Sequence, residues 1–168
     1  NPHLIKLFDL TGRVALVTGG SKGLGLAMAR VYAEAGADVF ITSRHEDELK
    51  AAVAQIKDGN PGRVEYAVID MTQRAEVDKL GKSVEAKMGR IDILVNNAGS
   101  NLPQQIDQIK DADWDRLVEL NLSSCMALAR AVTPGMRARK WGRIIHISSI
   151  MGLASKEGRN AYSATKAA

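Results

Sequence analysis

Residues 13–25 read Arg-Val-Ala-Leu-Val-Thr-Gly-Gly-Ser-Lys-Gly-Leu-Gly. Arg13 to Thr18 is an apolar run of strand length. Unbroken apolar character, rather than alternation, predicts a strand buried on both faces. Glycines follow at positions 19, 23 and 25, just ahead of a helical pattern. They permit a tight turn and a close approach of a diphosphate to the backbone. A helix beginning there offers unpaired N–H groups and the positive end of its dipole. The spacing is G-x-x-x-G-x-G, not the commoner G-x-G-x-x-G. A glycine turn before a helix can be purely structural, but this one follows a buried first strand, which favours a nucleotide site.

The same alternation continues outward. A first helix is expected from about Gly23 to Ala35, closed by Gly36. Asp38–Ser43 reads as a second strand, and a charged helix starts near His45. Arg63–Ile69 is a third strand, followed by a polar-faced helix over Gln73–Met88 that ends at Gly89. Ile91–Val95 is a fourth strand. A long helical region spans about Asp111 to Lys140, which Pro134 should bend or divide. Arg143–Ser148 is a fifth strand, and a last helix begins near Asn160. Strands and helices alternating at this spacing predict an α/β fold, a doubly wound parallel sheet with right-handed crossovers. No repeat, low-complexity tract or linker interrupts it, so residues 1–168 are expected to form a single domain.

Composition narrows the function classes. The 168 residues are 45% hydrophobic and 25% charged, as in ordinary globular proteins. The net charge is +4, but the basic residues are dispersed. Their densest group, Arg137, Arg139, Lys140 and Arg143, reads as a solvated helix end. With only two Trp, three Tyr and two Phe there is no base-stacking surface, and no nucleic acid is expected as partner. No apolar run approaches the roughly 20 residues of a membrane span, and no signal-peptide pattern is visible. The single Cys125 suits a reducing, cytoplasmic compartment and reads as an inert thiol in an apolar helix. His3, His45 and His146 share no ligand spacing with carboxylates or Cys125, so no metal site is expected. His146 reads as a core histidine.

The second strand's tip bears on cofactor choice. An acid there would bind the ribose 2′-OH of NAD. This strand ends at Ser43 followed by Arg44, a cation suited to a 2′-phosphate, and Lys22 in the glycine loop offers a second. Glu46 and Asp47 read as first-turn helix residues. NADP(H) is therefore favoured over NAD(H). Asp70 and Met71 end the third strand, where Asp70 could accept from an adenine amino group or cap the next helix. Asn96-Asn97-Ala98-Gly99 ends the fourth strand, at the sheet edge where open α/β folds bind ligands.

Ser149 ends the fifth strand, and Tyr162 and Lys166 stand one helical turn apart thirteen residues on. The whole set resembles the short-chain dehydrogenase/reductase family, in its 3-oxoacyl reductase and gluconate 5-dehydrogenase-like branch. The resemblance rests on Thr18–Gly25, Asp70, Asn96–Gly99, Asn121, Ser149 and Tyr162-x-x-x-Lys166, and covers nearly the whole chain. It implies a Rossmann-like fold. It implies cofactor contacts from Gly19, Ser21, Lys22, Gly23, Leu24, Gly25, Ser43, Arg44, Asp70, Met71, Asn97, Ala98, Gly99, Tyr162 and Lys166.

It also implies a catalytic set. Tyr162 would be the general acid in ketone reduction, with Lys166 favouring its phenolate and bonding the nicotinamide ribose. Ser149 would donate to the substrate oxygen, where charge grows as hydride arrives. Asn121 would support a water chain. Taken without the family, Ser149 could be a strand-end cap, Asn121 a plain helix residue, and Tyr162 with Lys166 a surface pair.

The expected reaction moves a hydride between a nicotinamide cofactor and a small-molecule ketone or secondary alcohol, an oxoacyl thioester or a sugar or polyol ketone. Ser100–Gln105 and Ile150–Arg159 should form part of the pocket wall, and their amides lean towards a polar substrate. Family members usually continue for some eighty residues more, so the chain is expected to be C-terminally truncated, with the fifth strand an uncovered edge. Two alternatives stand beside the enzyme: a non-catalytic NADP-binding fragment, and an interaction module using the long helix. The resemblance implies a homodimer or homotetramer through that helix.

Overall fold

The computed structural model describes residues 6–168, so His3 lies outside them. Five strands form one parallel sheet: β1 (Val14–Thr18), β2 (Asp38–Ser43), β3 (Val64–Val68), β4 (Ile93–Asn96) and β5 (Arg143–His146). Their order is β3-β2-β1-β4-β5. Register runs Val14 opposite Asp38, Ala15 opposite Ile93, Val39 opposite Val64 and Ile93 opposite Arg143. The chain reverses its direction of travel across the sheet between β1 and β4, where a crevice opens at the strands' C-terminal ends.

Helices cover both faces: α1 (Gly23–Glu34), α2 (Glu46–Lys57), α3 (Arg74–Met88), α4 (Asp111–Val118), α5 (Ser124–Ala138) and α6 (Asn160–Ala167). Alternate β1 side chains divide between two cores. Val14 and Leu16 pack with α3 and α5 through Leu80, Val84, Leu128 and Val132. Ala15 and Val17 pack with α1 and α2 through Ala29, Ala33, Leu49 and Ile56. Double-sided burial explains why β1, β2 and β4 have no polar alternation. β3 and β5, at the sheet's two edges, are only partly covered.

Two expectations are corrected. Pro134 does not divide the long helix. α5 runs through it to Ala138, because packing of Ala127, Leu128, Val132 and Met136 against α3 outweighs one missing hydrogen bond. The interruption comes earlier, as a π turn at Glu119–Ser123 between α4 and α5. His146 is not a core histidine. It lies exposed on the edge strand β5, with Nδ1 3.2 Å from Asn96 Nδ2. No helix among the described residues is long and apolar enough to cross a membrane.

Candidate functional site

The β1–α1 turn is sterically committed. Gly19 has φ +65°, and a Cβ on Gly25 would overlap the Gly19 carbonyl oxygen and lie 2.6 Å from Asn97 Nδ2. Only glycine fits that approach. The ends of β1 and β4 are stitched together behind the turn. Thr18 Oγ1 accepts from Asn97 N and Ala98 N, each at 3.0 Å, and Asn97 Nδ2 donates to Thr18 O at 3.0 Å and Gly19 O at 3.2 Å. Helix α1 then starts at Gly23 with no side-chain cap. Its first N–H groups therefore remain available to an anion.

A cleft of about 390 Å³ opens in front of this turn. Gly19, Ser21, Lys22, Leu24, Gly25, Ser43, Arg44, Asp70, Met71, Asn97, Ala98 and Gly99 line it. Gly23 stands at its margin with φ +56° and open space where a Cβ would project. Thr42, buried at the end of β2, lines it with an Oγ1 that has no hydrogen-bond partner. An uncapped helix start, a glycine cradle and an orphaned hydroxyl at the crevice fit a dinucleotide.

Three details were not legible in the sequence. Lys22 is not an unpaired cation: its Nζ lies 2.9 Å from Glu48 Oε1. Glu48, in the first turn of α2, also accepts from Ser21 Oγ at 2.9 Å, and Ser21 Oγ lies 3.0 Å from Ser43 Oγ. Hydrogen bonds from Lys22 and Ser21 hold the Glu48 carboxyl below the usual carboxylate range. Arg116, on α4, enters the cleft from a helix that carried no nucleotide signal. Asp70 caps no helix; its Oδ1 accepts from Thr72 N at 2.9 Å and Thr72 Oγ1 at 2.8 Å. Burial pushes the Asp70 carboxyl up, but the two Thr72 bonds, with Arg44 and Arg116 nearby, bring it below the usual value of 3.8.

Beyond the Gly99 end of the cleft lie the proton-handling candidates. Asn121, in the π turn, is buried. Its Oδ1 accepts from Ser100 N at 3.0 Å, and its Nδ2 donates to Ser100 O at 2.9 Å and Thr165 Oγ1 at 3.0 Å. Lys166 Nζ donates to Ile147 O at 2.6 Å and lies 5.9 Å from the centre of the Tyr162 ring. Both Asn121 Oδ1 and Lys166 Nζ border Gly99, so the amide and the ammonium flank one glycine. Ser149 Oγ accepts from Met151 N at 3.1 Å and caps a short turn at Ile150–Gly152. Tyr162 and Lys166 do not line the cleft itself; α6 sets them beside it. Cys125 is half-buried, and burial raises its thiol pKa.

The two expected wall segments are pinned together. Gln104 pairs with Arg159 as an isolated bridge, and Gln104 N donates to Gly158 O at 3.1 Å. Gln104 Nε2 donates to Asp113 Oδ2 at 2.7 Å and Gln105 Nε2 to Glu157 Oε1 at 2.8 Å. These amides are engaged within the protein. In the same neighbourhood of sequence, Ile106, Ile150 and Leu153 are exposed at 70%, 67% and 88%.

Residues 13–168 match the short chain dehydrogenase family model. The chain belongs to that family. It is 40% identical over 161 residues to Nodulation protein G of Rhizobium sp. (strain N33), covering 96% of this chain and 64% of that protein. Among solved structures, it resembles a 3-oxoacyl (acyl-carrier-protein) reductase from Agrobacterium tumefaciens C58 with NADP bound. The TM-score is 0.92 at 34% identity, over 98% of this chain and 63% of that one. It also resembles a gluconate 5-dehydrogenase from Burkholderia cenocepacia J2315 in complex with NADP and tartrate. There the TM-score is 0.89 at 37% identity, over 98% and 64%. The chain thus spans somewhat under two thirds of these relatives.

Proposed function

We propose that the protein carrying this chain is an NADP(H)-dependent oxidoreductase that interconverts a ketone and a secondary alcohol. One observation carries the reading: the cleft in front of the uncapped start of α1 reaches Gly99, which Asn121 and Lys166 flank, with Tyr162 one helical turn from Lys166. The cofactor, when bound, supplies or takes the hydride. The N–H groups opening α1 would hold its diphosphate, and Arg44 with Ser43 would serve the 2′ position of its adenosine ribose. Tyr162 donates the proton to the carbonyl oxygen. The Lys166 ammonium favours the resulting phenolate. Ser149 Oγ holds the oxygen as charge grows on it. Asn121 fixes the loop at Ser100 and supports proton resupply behind Lys166.

Of the two substrate classes, the oxoacyl thioester is favoured. Two of the three wall amides, Gln104 and Gln105, are already paired, leaving only the buried Asn101 Oδ1 without a partner, and Ile106, Ile150 and Leu153 offer apolar contact. The full-length protein should oxidise NADPH with a 3-oxoacyl thioester faster than with a keto-sugar. No oxidation across either class would sink the reading. Tyr162→Phe should cut kcat by about 100-fold or more while cofactor affinity holds.

A second reading is cofactor binding without turnover by residues 1–168; β5 stands at the sheet's edge and is only partly covered. Titration calorimetry with NADP separates the two, since turnover by this chain alone would exclude the second. We further propose that residues 1–168 are the cofactor-binding and catalytic part of one domain. We also propose a cytoplasmic homodimer or homotetramer, using Trp114 and Met126 exposed on α4 and α5. A monomer in sedimentation of the full-length protein would contradict that assembly.

A further inference from the structure

Two residues that line the cleft, Ser21 and Lys22, are already bonded to a carboxylate behind it. Three acids, Glu46, Asp47 and Glu48, open α2. Glu46 is turned to Lys50 Nζ at 3.2 Å and receives the Tyr66 hydroxyl at 3.1 Å. Glu48, two residues later, points the other way. It takes Lys22 Nζ at 2.9 Å on one oxygen and Ser21 Oγ at 2.9 Å on the other. Ser21 has one hydroxyl proton and two neighbours. The carboxylate is the stronger acceptor, so Ser21 donates to Glu48 and Ser43 donates to Ser21. Two hydroxyls and an ammonium that could serve a phosphate are therefore polarised towards Glu48. Arg44 has no ion-pair partner among the described residues, so it remains available to a phosphate.

We propose that Glu48 is a specificity-determining residue that weighs against the 2′-phosphate and keeps NAD(H) usable. A 2′-hydroxyl leaves the Lys22–Glu48–Ser21–Ser43 cluster undisturbed and can donate to the same carboxylate. A 2′-phosphate competes with Glu48 for Lys22, Ser21 and Ser43, and its charge repels the carboxylate at close range. Arg44 and Glu48 thus act in opposite directions on the choice between the two cofactors. The sequence hid this because the acid stands on a helix, five positions past the strand tip where an NAD-selecting acid is sought.

The inference deepens the cofactor assignment above, and the experiment separates the two. Binding of NADP and NAD to the full-length protein is measured by titration for wild type and Glu48→Gln. Glutamine keeps the size and hydrogen-bonding reach but not the charge. The NADP:NAD affinity ratio should rise roughly tenfold in Glu48→Gln at low salt, and the gain should shrink as salt screens the charge. A ratio unchanged or lowered would overturn the inference. So would equal weakening of both cofactors, which would make Glu48 a mere support for the Ser21 loop. If wild type prefers NAD outright, the NADP assignment falls. The change in ratio on removing the charge still decides the role of Glu48. Glu46→Gln is the control: its carboxylate faces Lys50 and Tyr66, and the ratio should stay at the wild-type value.

Discussion

Single side chains at the cleft are decided by which neighbour claims them. Lys22 and Arg44 are both cations near the glycine loop in the sequence, yet only Lys22 is claimed, by Glu48. Position alone cannot show this: it depends on where α2 starts relative to the β1–α1 turn, a distance in space and not along the chain. Arg116 was invisible for the same reason, since it is an ordinary charge on α4 until the fold brings α4 beside Asp70. Asp70 itself carries a prediction. Its folded pKa is depressed, so its hydrogen bonds add stability in full above the unfolded value of 3.8 and lose it as pH falls through the folded value. Thr72→Val removes the 2.8 Å hydroxyl donor. It should cost about 1 kcal/mol in urea unfolding at pH 7. The gap to wild type should narrow once the pH drops below 3.8 and the carboxyl protonates in both proteins. A gap that is constant with pH would mean that Thr72 acts by packing and not through the carboxylate.

Whole elements were more legible than their irregularities. β1, β2 and β4 announce themselves as apolar runs because both faces are covered, and Gly89 marks the end of α3 with φ +85°. The π turn does not announce itself. It changes the size of a backbone ring, and no side chain in Glu-Leu-Asn-Leu-Ser signals that. Pro134 signalled a break loudly, and tertiary packing overrode it. The π turn nonetheless sets the site. It places the Asn121 amide between the loop after β4 and the helix that bears Tyr162 and Lys166, bonded to Ser100 on one side and Thr165 on the other. Asn121→Ala would leave the Ser100 N–H without its acceptor and remove the Asn121–Thr165 bond to α6. The expected loss is about 2–3 kcal/mol of unfolding free energy. Hydrogen exchange should quicken at Ser100 and along α6 more than in β1 or β2. Uniform acceleration over the sheet would show that Asn121 contributes only to global stability.

Across the whole molecule the sheet separates two tasks. Its C-terminal edge carries the cleft, Asn121 and Lys166. Its N-terminal edge carries a charge cluster around Asp92, which is 0% exposed. Asp92 accepts from Val14 N at 3.0 Å and Arg90 Nη2 at 2.7 Å, and forms ion pairs with Arg139 Nε at 3.6 Å and Arg13 Nη1 at 3.8 Å. Arg13 also lies 3.9 Å from the Trp141 ring centre. Part of the basic group expected to be a solvated helix end is therefore an internal counter-charge: Arg139 leaves the end of α5 to reach Asp92 and the Ile91 carbonyl, just ahead of β4. The cluster joins β1, β4 and α5 at the point farthest along the strands from the cleft, so it should govern stability without touching binding. Asp92→Asn keeps the shape and removes the buried charge, leaving three guanidinium groups facing an amide. Breaking such a pair costs about 3–5 kcal/mol. In a protein of this size that is a drop in Tm of roughly 10 °C or more. The dissociation constant for NADP, measured well below the lowered Tm, should match wild type. A variant that binds NADP weakly while still folded would show that the two edges are coupled through β1 and β4, and that the sheet does not keep stability and binding apart.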